Sequence, residues 1–301
     1  MKNGIYPTML TPYKNREIDY DTVRNLALWY EKNGCNGIFA VCQSSEMVYL
    51  SLKEKIKLAT TVLDAVGDRL TVVASGHTSD SLEAQAEEIN AMAETGVEAV
   101  VLVSNRFDPH FDGDRVWLST AEKLLSMIKS DISLGIYECP VPYKRLLTPE
   151  ILNWCKDTGR FNFIKDTCCD PVMLKQRLEL LKGSRIGLFN ANEQTFLHSL
   201  KHGGAGYSGI MANYHPYILS WIYNNFETQK DKAEKVSSIL SMMAFTECNT
   251  YPCAAKYYLN KYEGISMETF ARSGDEKTIT PYWELILEQM HDLNTDLRSW
   301  L

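Results

Sequence analysis

The feature that most constrains this chain is a succession of eight short apolar runs, at residues 4–10, 37–41, 70–75, 99–103, 132–137, 161–165, 186–190 and 206–210. The runs are unbroken rather than alternating, which is the pattern of strands covered on both faces, as in a parallel sheet. Amphipathic stretches separate them. Leu82, Ala86, Ile89, Met92 and Ala93 recur at three and four residues, and Gly96 stops the pattern. Val23, Leu26, Leu28 and Trp29 follow Asp21-Thr22 and lead to Asn33-Gly34. Thr148-Pro149-Glu150 starts a helix with Thr as N-cap and Pro at the first helical position, and Asp170-Pro171 opens the next similarly. Eight strand–helix units in succession predict an α/β fold, a (β/α)8 (TIM) barrel over residues 1–225. Residues 226–301 read as a C-terminal helical extension, with apolar residues at helical spacing in 233–245, 253–260 and 281–297. No Gly/Ser/Pro linker precedes it, so it is expected to pack on the barrel. A doubly wound open sheet is the alternative, but such a sheet rarely needs eight units.

Charge and composition narrow the function classes. With 31 Lys+Arg against 38 Asp+Glu the net charge is −7, which argues against a nucleic-acid or membrane-surface partner. No apolar run reaches the ~18 residues of a membrane-spanning helix, and residues 1–7 lack the basic and apolar regions of a secretory signal. A cytoplasmic protein is expected. The eight cysteines at 35, 42, 139, 155, 168, 169, 248 and 253 include several within apolar runs and read as reduced thiols. Neither they nor the six histidines show metal-ligand spacing, so no metal is expected.

A barrel places its chemistry at the carboxyl ends of the strands. The polar residues there are Thr8 and Thr11, the segment Cys42-Gln43-Ser44-Ser45-Glu46, Ser104-Asn105-Arg106-Phe107, Tyr137-Glu138, Lys165-Asp166-Thr167, Asn190 and Ser208. Lys165 ends an apolar run and is expected to point its amine into a confined mouth. Desolvation lowers a lysine pKa, and a neutral amine can form a Schiff base with a ketone. The alternative is a strand-end lysine that is solvated or paired with Asp166. Tyr137 lies on the preceding strand, where a phenol could pass protons or cap a buried carbonyl. The Ser44-Ser45 hydroxyls suit a carboxylate but equally suit the N-cap of a following helix.

Taken together, six segments resemble the dihydrodipicolinate synthase and N-acetylneuraminate lyase family of class I, pyruvate-handling aldolases. They are Gly4 through Tyr13 with its Thr11-Pro12-Tyr13 ending, Asn33-Gly34-Cys35-Asn36-Gly37-Ile38, Cys42 to Glu46 in place of G-[ST]-T-G-E, Ile136-Tyr137-Glu138-Cys139-Pro140, Phe163-Ile164-Lys165-Asp166-Thr167, and Gly203-Gly204-Ala205-Gly206 with Ala212-Asn213. The resemblance spans the chain and marks a divergent member. It implies a lyase in which Lys165 condenses with pyruvate or another 2-oxo acid and Tyr137 shuttles protons. Ser44 with Gln43 would hold the substrate carboxylate, and the Ser208 backbone would lie near the imine. It implies no metal or organic cofactor, an aldehyde as second substrate, and a homo-oligomer, dimer or tetramer.

The departures redirect the substrate. Gln43 replaces a hydroxyl residue, and Ser45 a glycine. Phe107 stands where dihydrodipicolinate synthases place a second tyrosine that crosses the dimer interface. Pro142 stands where they place an arginine for the aldehyde's carboxylate, which argues against that synthase activity. Arg106 is a candidate for an anionic group on the second substrate, with a surface salt bridge as its alternative. The run Tyr143-Lys144-Arg145 is read as the solvated start of a helix. Glu138 replaces an asparagine and would favour the ammonium form of Lys165 unless it points away. Ala191-Asn192-Glu193-Gln194 does not keep the G-x-D-E of the sialic acid lyases. Three readings result: a Schiff-base aldolase on a 2-oxo acid with an unknown aldehyde, an N-acetylneuraminate lyase or dihydrodipicolinate synthase activity, and a catalytically impaired barrel serving as a binding or regulatory protein.

Overall fold

The computed structural model describes residues 1–246, 249–274 and 279–301. Its first strand, β1 (Gly4–Ile5), is followed by a small antiparallel hairpin, β2 (Tyr13–Lys14) with β3 (Glu17–Ile18), and by α1 (Tyr20–Lys32). Strands and helices then alternate: β4 (Gly37–Val41), α2 (Leu52–Val66), β5 (Thr71–Ala74), α3 (Leu82–Ala93), β6 (Ala99–Val103), α4 (Asp114–Met127), β7 (Leu134–Tyr137), α5 (Pro149–Thr158), β8 (Phe161–Asp166), α6 (Pro171–Leu181), β9 (Gly187–Asn190), α7 (Glu193–Lys201), β10 (Gly206–Tyr207) and α8 (Pro216–Asn225). The eight parallel strands run in the order β1-β10-β9-β8-β7-β6-β5-β4. A parallel bridge between Thr8 and Phe39 joins the two ends of that order, so the sheet is the (β/α)8 barrel expected from the sequence.

Two strands cover less than half of their apolar runs. The first run, 4–10, yields only Gly4–Ile5. Pro7 has no N–H to give; its carbonyl accepts from Phe39 at 3.0 Å, and Met9 N–H returns to Phe39 O at 3.0 Å. The eighth run turns after Tyr207 into a short 3-10 helix at Ile210–Asn213. Where β1 and β10 meet, a Cβ on Gly206 would lie 1.8 Å from the Gly4 carbonyl, so only glycine permits the approach.

Helix starts follow local chemistry. The Thr148 hydroxyl accepts from Ile151 N–H, and Asp170 accepts from Val172 and Met173 N–H, each ahead of a proline at the first turn. Ser51 and Glu54 form a reciprocal capping box on α2. The extension continues with α9 (Lys230–Met243), α10 (Cys253–Tyr262) and α11 (Pro281–Trp300). Helix α9 packs on α7 and α8, and α11 on α8 and α10, so the extension lies against the barrel. Among the described residues no helix is long and apolar enough to cross a membrane. Among the described residues seven cysteines form no disulfide, and five of them are buried; Cys248 lies outside the described residues.

Candidate active site

The barrel interior is closed below the mouth by packed aromatic rings. Phe163 and Phe189 lie 4.7 Å apart, Tyr6 and Phe189 4.6 Å, and Phe39 and Phe163 5.8 Å. Alternation along β8 then matters: Phe163 faces inward, so Lys165, two residues on, faces inward above it. Lys165 is 4% exposed. Its register partners are Tyr137 on β7 and Phe189 on β9. Its Nζ lies 4.1 Å from the centre of the Tyr137 ring and 5.8 Å from that of Phe39. The lysine and tyrosine singled out from sequence are therefore adjacent, over an apolar floor.

Burial pushes the Tyr137 phenol well above its ordinary range, reinforced by the neighbouring thiols of Cys139 and Cys42. It keeps its proton at neutral pH and is a donor. Burial likewise raises both thiols, against the pull of nearby Lys165. Cys139 Sγ lies 3.8 Å from Gln43 Oε1, which brings Gln43 to the same side of the mouth.

The turn after β4 is built by Ser45. Its hydroxyl accepts from Cys42 N–H at 2.6 Å and donates to Cys42 O at 2.8 Å, and the Thr11 hydroxyl holds the Ser45 carbonyl at 2.7 Å. Helix α2 is capped by Ser51, so neither Ser44 nor Ser45 serves that role. Ser44 is buried at the turn, and its hydroxyl meets that of Tyr251. Ser208 is buried at the end of β10; its N–H donates to Asn190 O at 2.8 Å and its hydroxyl has no hydrogen-bond partner among the described residues.

Glu138 points away from the lysine. Its carboxylate accepts from Leu147 N–H at 2.7 Å and Thr167 N–H at 2.8 Å, and pairs with Arg177 Nη2 at 2.8 Å. Arg177 Nη1 reaches Asp166 in a tight buried contact. The carboxylate beside Lys165 in sequence is thus taken by an arginine.

Arg106, in the turn after β6, reaches across to the loop after β5. Its Nη2 donates to the carbonyls of Thr78, at 2.5 Å, and Ser79, and pairs with Asp80 at 2.8 Å, while its buried Nε carries no hydrogen bond. The reading of Tyr143-Lys144-Arg145 as solvated is corrected at Arg145. That side chain is buried and pairs with Asp108 at 2.8 Å and Asp114 at 2.7 Å, because α4 and the turn after β6 present two carboxylates to it. Phe107 is buried between His77, at 4.9 Å, and Trp117, at 4.7 Å.

Two contributors were missed from sequence. Tyr251 comes from the extension, between α9 and α10, where no periodicity marks a residue as entering the barrel. Asn213 was seen only as part of a glycine-rich segment. Its Nδ2 donates to Thr8 O at 3.0 Å and to Tyr251 Oη at 3.2 Å. Among the described residues no group of three or more His, Cys, Asp or Glu could hold a metal.

The chain is similar to known proteins both in sequence and in fold. Residues 1–274 match the model of the dihydrodipicolinate synthetase family. The 4-hydroxy-tetrahydrodipicolinate synthase of Methanocaldococcus jannaschii is 28% identical over 262 residues, which cover 84% of this chain and 86% of that one. Among solved structures, the 4-hydroxy-tetrahydrodipicolinate synthase of Methylacidiphilum fumariolicum superposes with a TM-score of 0.86 at 18% identity, covering 99% of this chain and 98% of that one. A catalytic-lysine mutant of the sialic acid aldolase of Ruminococcus gnavus gives 0.85 at 15% identity, covering 99% and 97%. Sequence match over nine-tenths of its length and a shared barrel together place the chain in the dihydrodipicolinate synthetase family.

Proposed function

We propose that this protein is a class I aldolase or lyase that forms a lysine Schiff base with pyruvate or a related 2-oxo acid. The observation that carries the reading is the nearly buried Lys165 amine, 4.1 Å from the Tyr137 ring over an aromatic floor. The Nζ attacks the keto carbon, water leaves, and the resulting iminium acts as the electron sink. Loss of a C3 proton then gives an enamine that adds to an aldehyde, and the reverse sequence cleaves the carbon–carbon bond. Tyr137, held protonated by burial, moves protons during these steps. Gln43 and Ser44 hold the substrate carboxylate, with Ser208 beside the imine. The Arg106 Nε is the donor left open for an anionic group on the second substrate. No cofactor enters the reading, since the lysine supplies the sink. The second substrate is an aldehyde other than that of the lysine pathway enzymes, because Pro142 gives no guanidinium for its carboxylate. A homo-oligomer, dimer or tetramer, belongs to the same reading, and free thiols fit a reducing compartment such as the cytoplasm.

Borohydride reduction in the presence of pyruvate tests it. The expected result is one covalent adduct, mapped by mass spectrometry to Lys165 and lost in Lys165→Ala. No adduct with any of several 2-oxo acids would overturn the aldolase reading in favour of a binding or regulatory barrel.

A further inference from the structure

The six histidines give no ligand pattern along the sequence, yet α7 brings two of them face to face. His198 lies in the last turn of the helix and His202 caps its C-terminal end. Side chains four residues apart leave a helix on the same side. The two ring centres are 4.3 Å apart, with the planes tilted by 38°. We propose that this pair is a binding site for a divalent transition-metal ion of the class that prefers imidazole, such as Cu2+, Ni2+ or Zn2+. The site lies where α7 faces α6, outside the barrel mouth, and does not depend on the Schiff-base chemistry.

The backbone sets which nitrogen of each ring is open. His198 Nε2 faces the Pro171 carbonyl, at the start of α6, at 3.1 Å, and His202 Nδ1 faces the His198 carbonyl at 2.9 Å. A carbonyl can only accept, so these two nitrogens carry the protons of the neutral rings. The lone pairs are left on His198 Nδ1 and His202 Nε2. A backbone acceptor behind the ring is the device that fixes tautomer and orientation in metal-binding histidines, and here both rings have one. The separation also fits. Two imidazoles bound side by side to one ion, each at about 2.0–2.1 Å, have ring centres about 4.5–5 Å apart, so the pair needs only a slight opening. Charge favours the ion too. The carbonyls at the end of a helix attract a cation, and the neighbouring Lys201 is engaged by Glu234. Both rings are half-buried, so water reaches the side of the pair that faces solvent. Among the described residues no third His, Cys, Asp or Glu joins them. The remaining coordination positions therefore belong to water, and the ion is exchangeable rather than a resident cofactor. Imidazole suits Cu2+, Ni2+ and Zn2+ but not Mg2+, and Cu2+ should bind more tightly than either of the others.

Titration calorimetry of the intact protein with Ni2+ in neutral buffer tests the site. Stoichiometric binding is expected, with no binding of Mg2+. His198→Gln and His202→Gln should each weaken Ni2+ by at least about tenfold, since losing a ligand costs no less than losing the group behind one. Ni2+ should also raise the thermal unfolding midpoint of the wild-type protein and leave that of the double variant where it was. Cu2+ supplies a readout that needs no variant: the paramagnetic resonance spectrum of the loaded wild-type protein should show splitting by two nitrogen ligands. Absence of stoichiometric Ni2+ binding would overturn the proposal. So would Mg2+ binding as tightly as Ni2+, a Cu2+ spectrum without nitrogen splitting, or affinity within about twofold of wild type in either single variant.

Discussion

Arg177 has almost no exposed surface, yet it carries a full charge between two carboxylates, Asp166 on β8 and Glu138 at the end of β7. Burial is the largest influence on the Glu138 carboxyl and raises it above its ordinary value, against the pull of Arg177. The arrangement matters for chemistry because it removes two negative charges from the surroundings of Lys165. It also matters for shape, since Glu138 takes the N–H groups of Leu147 and Thr167 and so joins the turns after β7 and β8. Arg177 adds a bond to the Leu147 carbonyl at 2.7 Å. Breaking a buried ion pair by removing one partner typically costs about 3–5 kcal/mol, because the other charge is left without compensation. Arg177→Met is expected to lower folding stability by about that amount in urea denaturation. It should also weaken pyruvate trapping at Lys165, since two unneutralised carboxylates would then favour the ammonium form. A stability within 1 kcal/mol of wild type, as a rough threshold, would show that the triad is replaceable.

At the scale of elements, the extension does more than cover the barrel. Glu46, in the left-handed region at φ 65°, ends the turn that carries Gln43 and Ser44. Its buried carboxylate meets Lys256 of α10 at 2.8 Å and the N–H groups of Arg272 and Ser273, the latter at 3.1 Å. Lys256 also donates to Phe270 O at 2.8 Å, and the Arg272 guanidinium continues to Glu54 of α2 at 2.9 Å. One carboxylate thus ties the substrate-side turn to two segments of the extension. Lys256→Met should destabilise the fold by about 3–5 kcal/mol, and adding Glu46→Gln should recover part of that loss by removing the stranded charge. Strictly additive losses in the double variant would mean that the two side chains do not depend on each other. What could be read from sequence divides along the same line. The strand runs, the proline-capped helices and the lysine at the end of β8 are local patterns and were legible. The tie from Glu46 to Lys256 spans 210 residues, and Arg145 finds its carboxylates more than thirty residues away, so neither has a local signature. Tyr251 escaped for the same reason. The Asn15-Arg16 hairpin turn, with both residues at positive φ, lies beyond the first apolar run and ahead of Asp21-Thr22, in a stretch that carried no periodic pattern to read.

The molecule as a whole should respond to acid in two steps, and groups on and beside the segment between β5 and α3 contribute to both. His77 is fully buried and neutral: its Nδ1 accepts from Val103 N–H at 2.9 Å, so its Nε2 carries the proton given to Gln85 at 2.9 Å. Burial is the main reason that its pKa falls to about 4. Glu88 closes the other side of the segment. Burial pushes its carboxyl up, but the N–H groups of Thr78 and Ser79 and the Lys55 ammonium outweigh this and hold it at about 2. As pH falls from 6.5 the unfolded chain protonates its histidine while the native one does not. Stability attributable to His77 is therefore lost down to about 4, a span worth roughly 3 kcal/mol. Glu88 acts later. Its contribution is complete above the ordinary carboxylate value of 4.5 and disappears as pH falls toward about 2. Urea midpoints measured from pH 8 to pH 3 should show a first decline below 6.5 and a steeper one below 4.5. His77→Gln separates the two, because an amide cannot titrate but can still accept from Val103. Its stability at pH 7 should drop by about 1–3 kcal/mol for the imperfect bond, while the first decline flattens and the second persists. A His77→Gln protein that keeps the full slope between pH 6.5 and 4 would assign that step to another group and leave this histidine neutral for reasons of packing alone.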